Sequence, residues 1–424
     1  MTSERLSLSD LLAYGSLRMP LALLELPLFV LLPILYNRSF GLELAYIGAI
    51  LFATRAVDAV ADPLIGTWLD RTRRRFDFRH WIQIALPVLV AAFAALLLPP
   101  IRGEGLAGWL AVFSVLAYLA YSVVSIAFQS WGASLSQVPE QQVRLTTTRE
   151  AFGMAGVLLA VLMLSPEHTG KLAIVFCVLA VVAGVWSLKA PPAQNRAVVQ
   201  GTRSVSGMGR VRQNSPFRWL LCAFVFNGVA TAIPATLVLF FSADVLKAST
   251  EQSALFLGVY FLCAALGMPF WLWFSRRHGL RDSWLIGIAI AVLGFVWTLG
   301  LGPGDHLSFM VVCAATGLAL GSDLAMPPAL LALVIAENGD RGVHEGAYFG
   351  IWNLATKLNL AIAAGLALPL TQWLGEAWSA GPAQALALIY AGLPSALKLI
   401  AGFVLVVSPL NGGSVPAEPS KSIS

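Results

Sequence analysis

Charge is scarce in this chain. Asp, Glu, Lys and Arg make up 12% of its 424 residues, whereas a soluble domain carries about 25%. That shortage excludes an ordinary water-facing surface. Cysteine is scarce too. Cys177, Cys222, Cys263 and Cys313 each fall in an apolar run, without the paired spacing of a zinc site or a disulfide frame, and read as small core residues. The histidines, His80, His168, His278, His306 and His344, lie at the edges of apolar runs, so no buried imidazole relay is expected. HExxH, GxSxG and Walker sequences are missing, so neither an enzyme nor a metal centre is expected. The opening "MTSERLSLSDLL" does not have the form of a cleavable leader.

What the chain has instead is apolar sequence. Hydrophobic residues make up 58% and the mean hydropathy is +0.77. A bilayer core needs about 20 apolar residues per helix. On that measure twelve spans are expected, near 9–36, 42–69, 81–100, 106–136, 149–165, 170–189, 217–247, 252–275, 283–302, 306–337, 346–374 and 379–407. The runs lack the alternation of a barrel wall. An all-α integral membrane protein is therefore expected.

Lys and Arg in the loops set the orientation. One side collects Arg5, Arg71, Arg73, Arg74, Arg75, Arg79, Arg144, Arg196, Arg203, Arg210, Arg212, Arg276, Arg277, Arg281 and Arg341. The other holds Arg38, Arg102, Lys171 and Lys247. Both termini are expected in the cytoplasm, with the chain multi-pass in the cell (inner) membrane. The net charge of +5 needs no nucleic-acid partner, because the arginines sit between hydrophobic runs.

Residues 190–216, "APPAQNRAVVQGTRSVSGMGRVRQNSP", have linker composition. They separate an expected six-helix bundle over 1–189 from a second over 217–407, followed by a cytoplasmic tail over 408–424. "DRTRRRFDFRHW" after the second span is echoed by "SRRHGLRDSW" after the eighth. Two six-helix halves with equivalent basic loops are the signature of the major facilitator fold, although the loops also serve as topology signals in their own right.

Inside the second span, "ATRAVDAVADPLIGTW" places Arg55, Asp58 and Asp62 at i, i+3 and i+7, one stripe of a helix. An ionised side chain in hydrocarbon costs about 3 kcal/mol or more, so the stripe must face other helices or an aqueous cavity. One reading is a structural brace between Arg55 and one aspartate. The other is cation coupling, since one guanidinium cannot neutralise two carboxylates.

"RAVDAVADPLIGTWLDRTRRRF" resembles the second-helix signature of the glycoside–pentoside–hexuronide:cation symporters, the family of the melibiose permease. The similarity continues in "FQSWGASLS", "LTTTREAFGMAG", "LALGSDLAMPPALLA" and "EGAYFGIWNLATKLNLAIAAGLALPL". The resemblance implies a twelve-helix alternating-access carrier in which Asp58 and Asp62 bind the coupling cation. It also implies that Arg149, at the opening of helix 5, and Lys357, on helix 11, lie near the substrate and cation cavity. The chain departs from the family at Ala22, Ala61, Ser125 and Gln129, which stand where the permease has a sugar-binding acid, an asparagine between the aspartates, a further acid and a sugar-stacking aromatic. Sodium wants several hard oxygen ligands, by analogy with other hard cations, whereas a proton needs one carboxylate of raised pKa. The coupling ion is thus H+ or Na+, with H+ preferred, and no cofactor is expected.

Other polar residues in apolar runs are candidates for the substrate cavity. Glu25 lies one turn beyond Ala22, with pairing to Arg18 as the alternative. Asp323 precedes a Pro-Pro break expected to free backbone carbonyls. Gln129, Asn227 and Asn353 either line the cavity or hydrogen-bond between helices. Asp70, Arg71, Arg73 and Arg74 form a candidate gating loop. The function expected is cation-coupled symport of a small organic solute, a sugar or glycoside by resemblance, in a monomer within the lipid bilayer. The alternative is a carrier or flippase of an amphipathic lipid, because a lysolipid-transporting branch resembles the same signatures.

The arginine asymmetry gives a topology test. In a cysteine-free background, a cysteine at Arg203 should resist an impermeant maleimide in intact cells and react after permeabilisation. Labelling from outside would invert the orientation.

Overall fold

The computed structural model describes residues 6–73, 75–163, 168–192, 207–377 and 381–410. Arg74, Arg5, most of the expected linker with Arg196 and Arg203, and the expected tail beyond residue 410 lie outside the described residues. Among the described residues every regular element is helical, and nine helices are long and apolar enough to cross a bilayer by length and composition.

One of the nine contains two expected spans. In Thr250–Thr298 the backbone leaves helical geometry at Gly279, with φ 81° and ψ 168°, a conformation that glycine adopts without a Cβ clash. The break falls inside the basic "SRRHGLRDSW" loop. The first expected span is subdivided. Helices Leu8–Gly15 and Arg18–Leu26 run on through π-helical turns at Pro27–Leu31 and Leu35–Ser39. Pro27 and Pro33 have no amide hydrogen to continue the ladder, and the turns widen around them. The second span is one helix, Leu44–Thr72, with Pro63 inside it.

Two helix boundaries correct the sequence expectations. The fifth helix spans Pro139–Leu162, so Arg149 lies in its interior rather than at its opening. The helix His306–Glu337 runs through Pro327 and Pro328 without a break. The two prolines still remove two ladder hydrogen bonds, but the chain does not unwind there.

Local chemistry fixes several helix starts. Ser7 and Asp10 form a reciprocal capping box, and so do Ser249 and Gln252. The Asn214 side chain accepts from the Phe217 amide at 3.0 Å. On the outside, Leu266, Leu293, Leu307 and Phe403 are exposed. In water such faces would be a liability; against acyl chains they cost nothing.

The chain forms two compact units. The first comprises Met1–Gln137, Arg144–Gln213 and Ile335–Leu354; the second comprises Val138–Val143, Asn214–Val334 and Ala355–Ser424. These boundaries differ from 1–189 and 217–407 by two exchanges. Ile335–Leu354 belongs to the first unit because glycines let it approach the helix Leu44–Thr72 at backbone distance. A Cβ on Gly66 would lie 2.0 Å from the Gly346 carbonyl oxygen, and one on Gly350 2.5 Å from the Asp62 carbonyl oxygen. Such small-residue contacts bring helices together where no hydrophobic driving force acts between them. Val138–Val143 joins the second unit, where Glu140 pairs with Arg276 at 3.1 Å.

Gly66→Leu should therefore cost about 1–3 kcal/mol or more by overpacking, read as a lower midpoint of thermal unfolding in detergent. Gly48→Leu, where nothing lies within 4 Å of the added Cβ, is the matched control and should leave the midpoint nearly unchanged.

Candidate functional site

In the first unit a polar stripe runs along the helix Leu106–Leu135. Tyr118, Ser122, Ser125 and Gln129 recur at helical spacing and share one face. Ser122 Oγ donates to Asp58 Oδ1 at 2.6 Å. Further along, Gln129 Nε2 donates to Ser125 Oγ at 3.0 Å and to Asn353 Oδ1 at 2.9 Å. Asp58, Gln129 and Asn353 are thus tied to one helix face. Asp58 is 3% exposed and Asp62 0%, whereas Arg55 is exposed.

A second group lies on the first and fifth helices. Glu25 pairs with Arg18 Nη1 at 2.6 Å and accepts from the Tyr121 hydroxyl at 2.5 Å, so the acid considered for the missing sugar ligand has an arginine partner. Arg149 is buried against Glu150 at 2.6 Å, and Glu150 lies 3.8 Å from Arg18. Glu150 and Arg18 complete a chain of alternating charge from Glu25 to Arg149. Sequence reasoning did not single out Glu150, although an acid directly after Arg149 in a span is itself a signal.

The candidate gating loop meets Ile335–Leu354. The Gly346 and Ala347 amides both donate to the Asp70 carboxylate at 2.8 Å, at the start of the helix Glu345–Ala377, where the helix dipole favours an anion. Burial and the neighbouring Glu345 push the Asp70 carboxyl well above the usual carboxylate range, against the pull of those two amides. Arg73 forms a buried ion pair with Glu345 and stacks over Phe78 at 4.4 Å. Arg71 is exposed. Arg210 pairs with Asp340 at 2.9 Å, and the hydrogen bond and charge of Asp340 hold its guanidinium above the ordinary value. Tyr348 donates to the same aspartate at 2.6 Å. Asp340 and Glu345 were not singled out in the sequence, because their partners Arg210 and Arg73 lie far away in the chain.

In the second unit the decisive residue was also missed. Lys398, 2% exposed, donates to Asp323 Oδ2 at 2.9 Å and to Asn227 Oδ1 at 2.8 Å. Trp284 Nε1 donates to Asp323 Oδ1 at 2.9 Å. A lysine inside the last apolar run was the available signal. Lys357, half-buried, is also in this unit, one turn beyond Asn353 on the same helix.

Residues 13–412 match the MFS/sugar transport protein family. The chain belongs to that family. It is a multi-pass membrane transporter of the major facilitator fold. It is 29% identical to the inner membrane symporter YicJ of Escherichia coli (strain K12) over 39% of this chain and 36% of that protein. With the isoprimeverose transporter of Lactiplantibacillus pentosus it shares 24% identity over 72% of this chain and 67% of that protein. With the sphingosine-1-phosphate transporter MFSD2B of Mus musculus it shares 24% over 88% and 84%. Among solved structures, the transporter FucP in its outward conformation superposes with a TM-score of 0.68 at 14% identity, over 94% of this chain and 97% of that one.

Arg73→Ala would strand a buried Glu345 and should cost about 3–5 kcal/mol. Arg71→Ala removes an exposed charge and should change stability by about 0.5 kcal/mol or less. Equal losses in thermal unfolding would show that the buried pair does not hold these segments together.

Proposed function

We propose that the chain is a proton-coupled symporter of a small organic solute, a sugar or glycoside, working by alternating access as a monomer. The observation that carries this reading is the burial of Asp58 and Asp62 on one helix, with Asp58 bound to a stripe that continues to Gln129 and Asn353. On a helix these two aspartates lie about 6 Å apart, two acids against the single base of the stripe, Arg55. Arg55 compensates one negative charge. The other is relieved when a proton binds. Proton binding and release would then change the charge beside the hydrogen bonds at Gln129 and Asn353, where a hydroxyl-rich solute would find donors and acceptors.

A proton rather than sodium is favoured by the side chains beside the aspartates. Ala61 and Ser125 supply at most one oxygen ligand where the family has an amide and an acid. Arg149 with Glu150, and Lys357, are proposed to contact substrate. The buried contacts of Asp70 and Arg73 are proposed as the inward gate, and the arginine asymmetry supports cytoplasmic termini. A second reading, transport of an amphipathic lipid, is supported by the likeness to MFSD2B, which extends over most of both chains.

Asp58→Asn and Asp62→Asn should each abolish uphill accumulation in proteoliposomes under an imposed pH gradient. At least one should retain substrate exchange down its own gradient, because the pathway stays intact. If both variants concentrate substrate as well as the parent, the carboxylates are structural and the symporter reading fails.

A further inference from the structure

The second unit contains a cleft between its helices, with about 130 Å³ of enclosed space. Most of its wall is apolar, with Val238, Phe256, Leu257, Phe295 and Tyr390 among the lining residues. The wall carries hydroxyls at Tyr260, Thr316 and Tyr390, and its charged part is Asp323 and Lys398 with Thr231 beside them. Asp323, Lys398 and Thr231 gather at one end, because Asp323 Oδ2 lies 2.9 Å from Lys398 and 3.4 Å from Thr231. At 1.5 Å per residue, Tyr390 lies about 12 Å from Lys398 along the chain's last helix. The cleft thus has a long, mostly apolar part and a compact charged end. Ala235 and Phe261, also in its lining, are exposed, so it opens to the outside.

The hydrogen bonding at the charged end is unequal. The Asp323 carboxylate is well supplied, with Trp284 and Lys398 donating to it, while the Thr231 hydroxyl, 3.4 Å away, makes its shorter bond to the Asn227 carbonyl at 2.9 Å. An ammonium has three donors. Lys398 uses two, on Asn227 and Asp323, and its third has no partner among the described residues. The pair is already neutral. An anionic ligand would set a second negative charge beside Asp323, and a cationic one would set a second positive charge beside Lys398, each at a desolvation cost. An uncharged oxygen suffers neither penalty and satisfies the remaining N–H.

We propose that this cleft is a binding site for an uncharged amphiphile. Its apolar chain lies along Phe256, Leu257 and Tyr390, and a hydroxyl, ester or ether oxygen in its head accepts from Lys398 Nζ. The site is separate from the Asp58 and Asp62 group and does not rest on its coupling role.

The test is photolabelling of the purified full-length protein in proteoliposomes with a glycerol monoester carrying a diazirine in its acyl chain, mapped by mass spectrometry. Labelling should concentrate at Phe256–Phe261 over the lipid-facing controls Leu293 and Phe403, and excess unlabelled monoester should suppress it there. The double variant Asp323→Asn/Lys398→Met, which leaves no lone buried charge, should lower cleft labelling about tenfold at low probe concentration, the loss expected for one hydrogen bond to a charged group. Leu257→Trp fills the cleft from a half-buried position and leaves the ion pair intact. It should reduce cleft labelling to the control level, and it carries the test alone if the double variant does not fold. Cleft labelling no greater than at the controls, labelling insensitive to Leu257→Trp, or equal labelling by a diazirine fatty acid in its anionic form would each overturn the proposal. The readout is adduct position, so a failure leaves the coupling reading untouched, and a loss of transport in Asp58→Asn does not bear on the cleft.

Discussion

The structure depends on one electrostatic constraint, the burial of two carboxylates one helical turn apart in a low-dielectric interior. A carboxylate in hydrocarbon must be paired, hydrogen-bonded or protonated. For Asp58 the neighbouring helix supplies the hydroxyl of Ser122. Beside Asp62 the helix is packed at its backbone, because a Cβ on Gly350 would lie 2.5 Å from the Asp62 main-chain carbonyl oxygen. The helix Leu44–Thr72 is thereby held from two sides, and the same glycine packing brings Gly346 and Ala347 onto Asp70. The aspartates and the candidate gate share one helix and one packing partner.

The two units solve the problem of buried charge differently. In the second, Asp323 and Lys398 neutralise each other, with Trp284 and Asn227 taking up further hydrogen-bonding capacity. Such a pair is costly to break and contributes little net stability. In the first unit the stripe brings two acids and one base, Asp58, Asp62 and Arg55. Near Arg149 the charges again alternate, through Glu150 and Arg18 to Glu25. Both the Asp323 pair and the Arg149 group are balanced, whereas the helix Leu44–Thr72 carries the aspartates that are proposed to bind the coupling ion.

Much of this was legible in the sequence because bilayer solvation acts locally. Apolar runs declared the spans, and a charge inside a run declared its own importance without knowledge of its partner. That is why Arg55, Asp58, Asp62 and Asp323 stood out in the sequence. The failures have equally physical causes. The polar start of the fifth helix, Pro139 to Thr148, hid a full helix behind a hydropathy minimum, so Arg149 was placed at an end. The Pro-Pro pair suggested a break, but the rest of the ladder kept His306–Glu337 continuous. Arg73 with Glu345 and Lys398 with Asp323 are contacts between distant parts of the chain, and no local pattern announces such partners.

The central claim is that one of the two buried aspartates takes up a proton while the other remains ionised. Infrared difference spectroscopy of the protein in lipid, recorded between high and low pH, measures this directly. The account predicts a protonated-carboxyl band that appears at low pH, is lost in one of Asp58→Asn and Asp62→Asn, and is insensitive to sodium. A spectrum in which neither substitution removes a carboxyl band would contradict it.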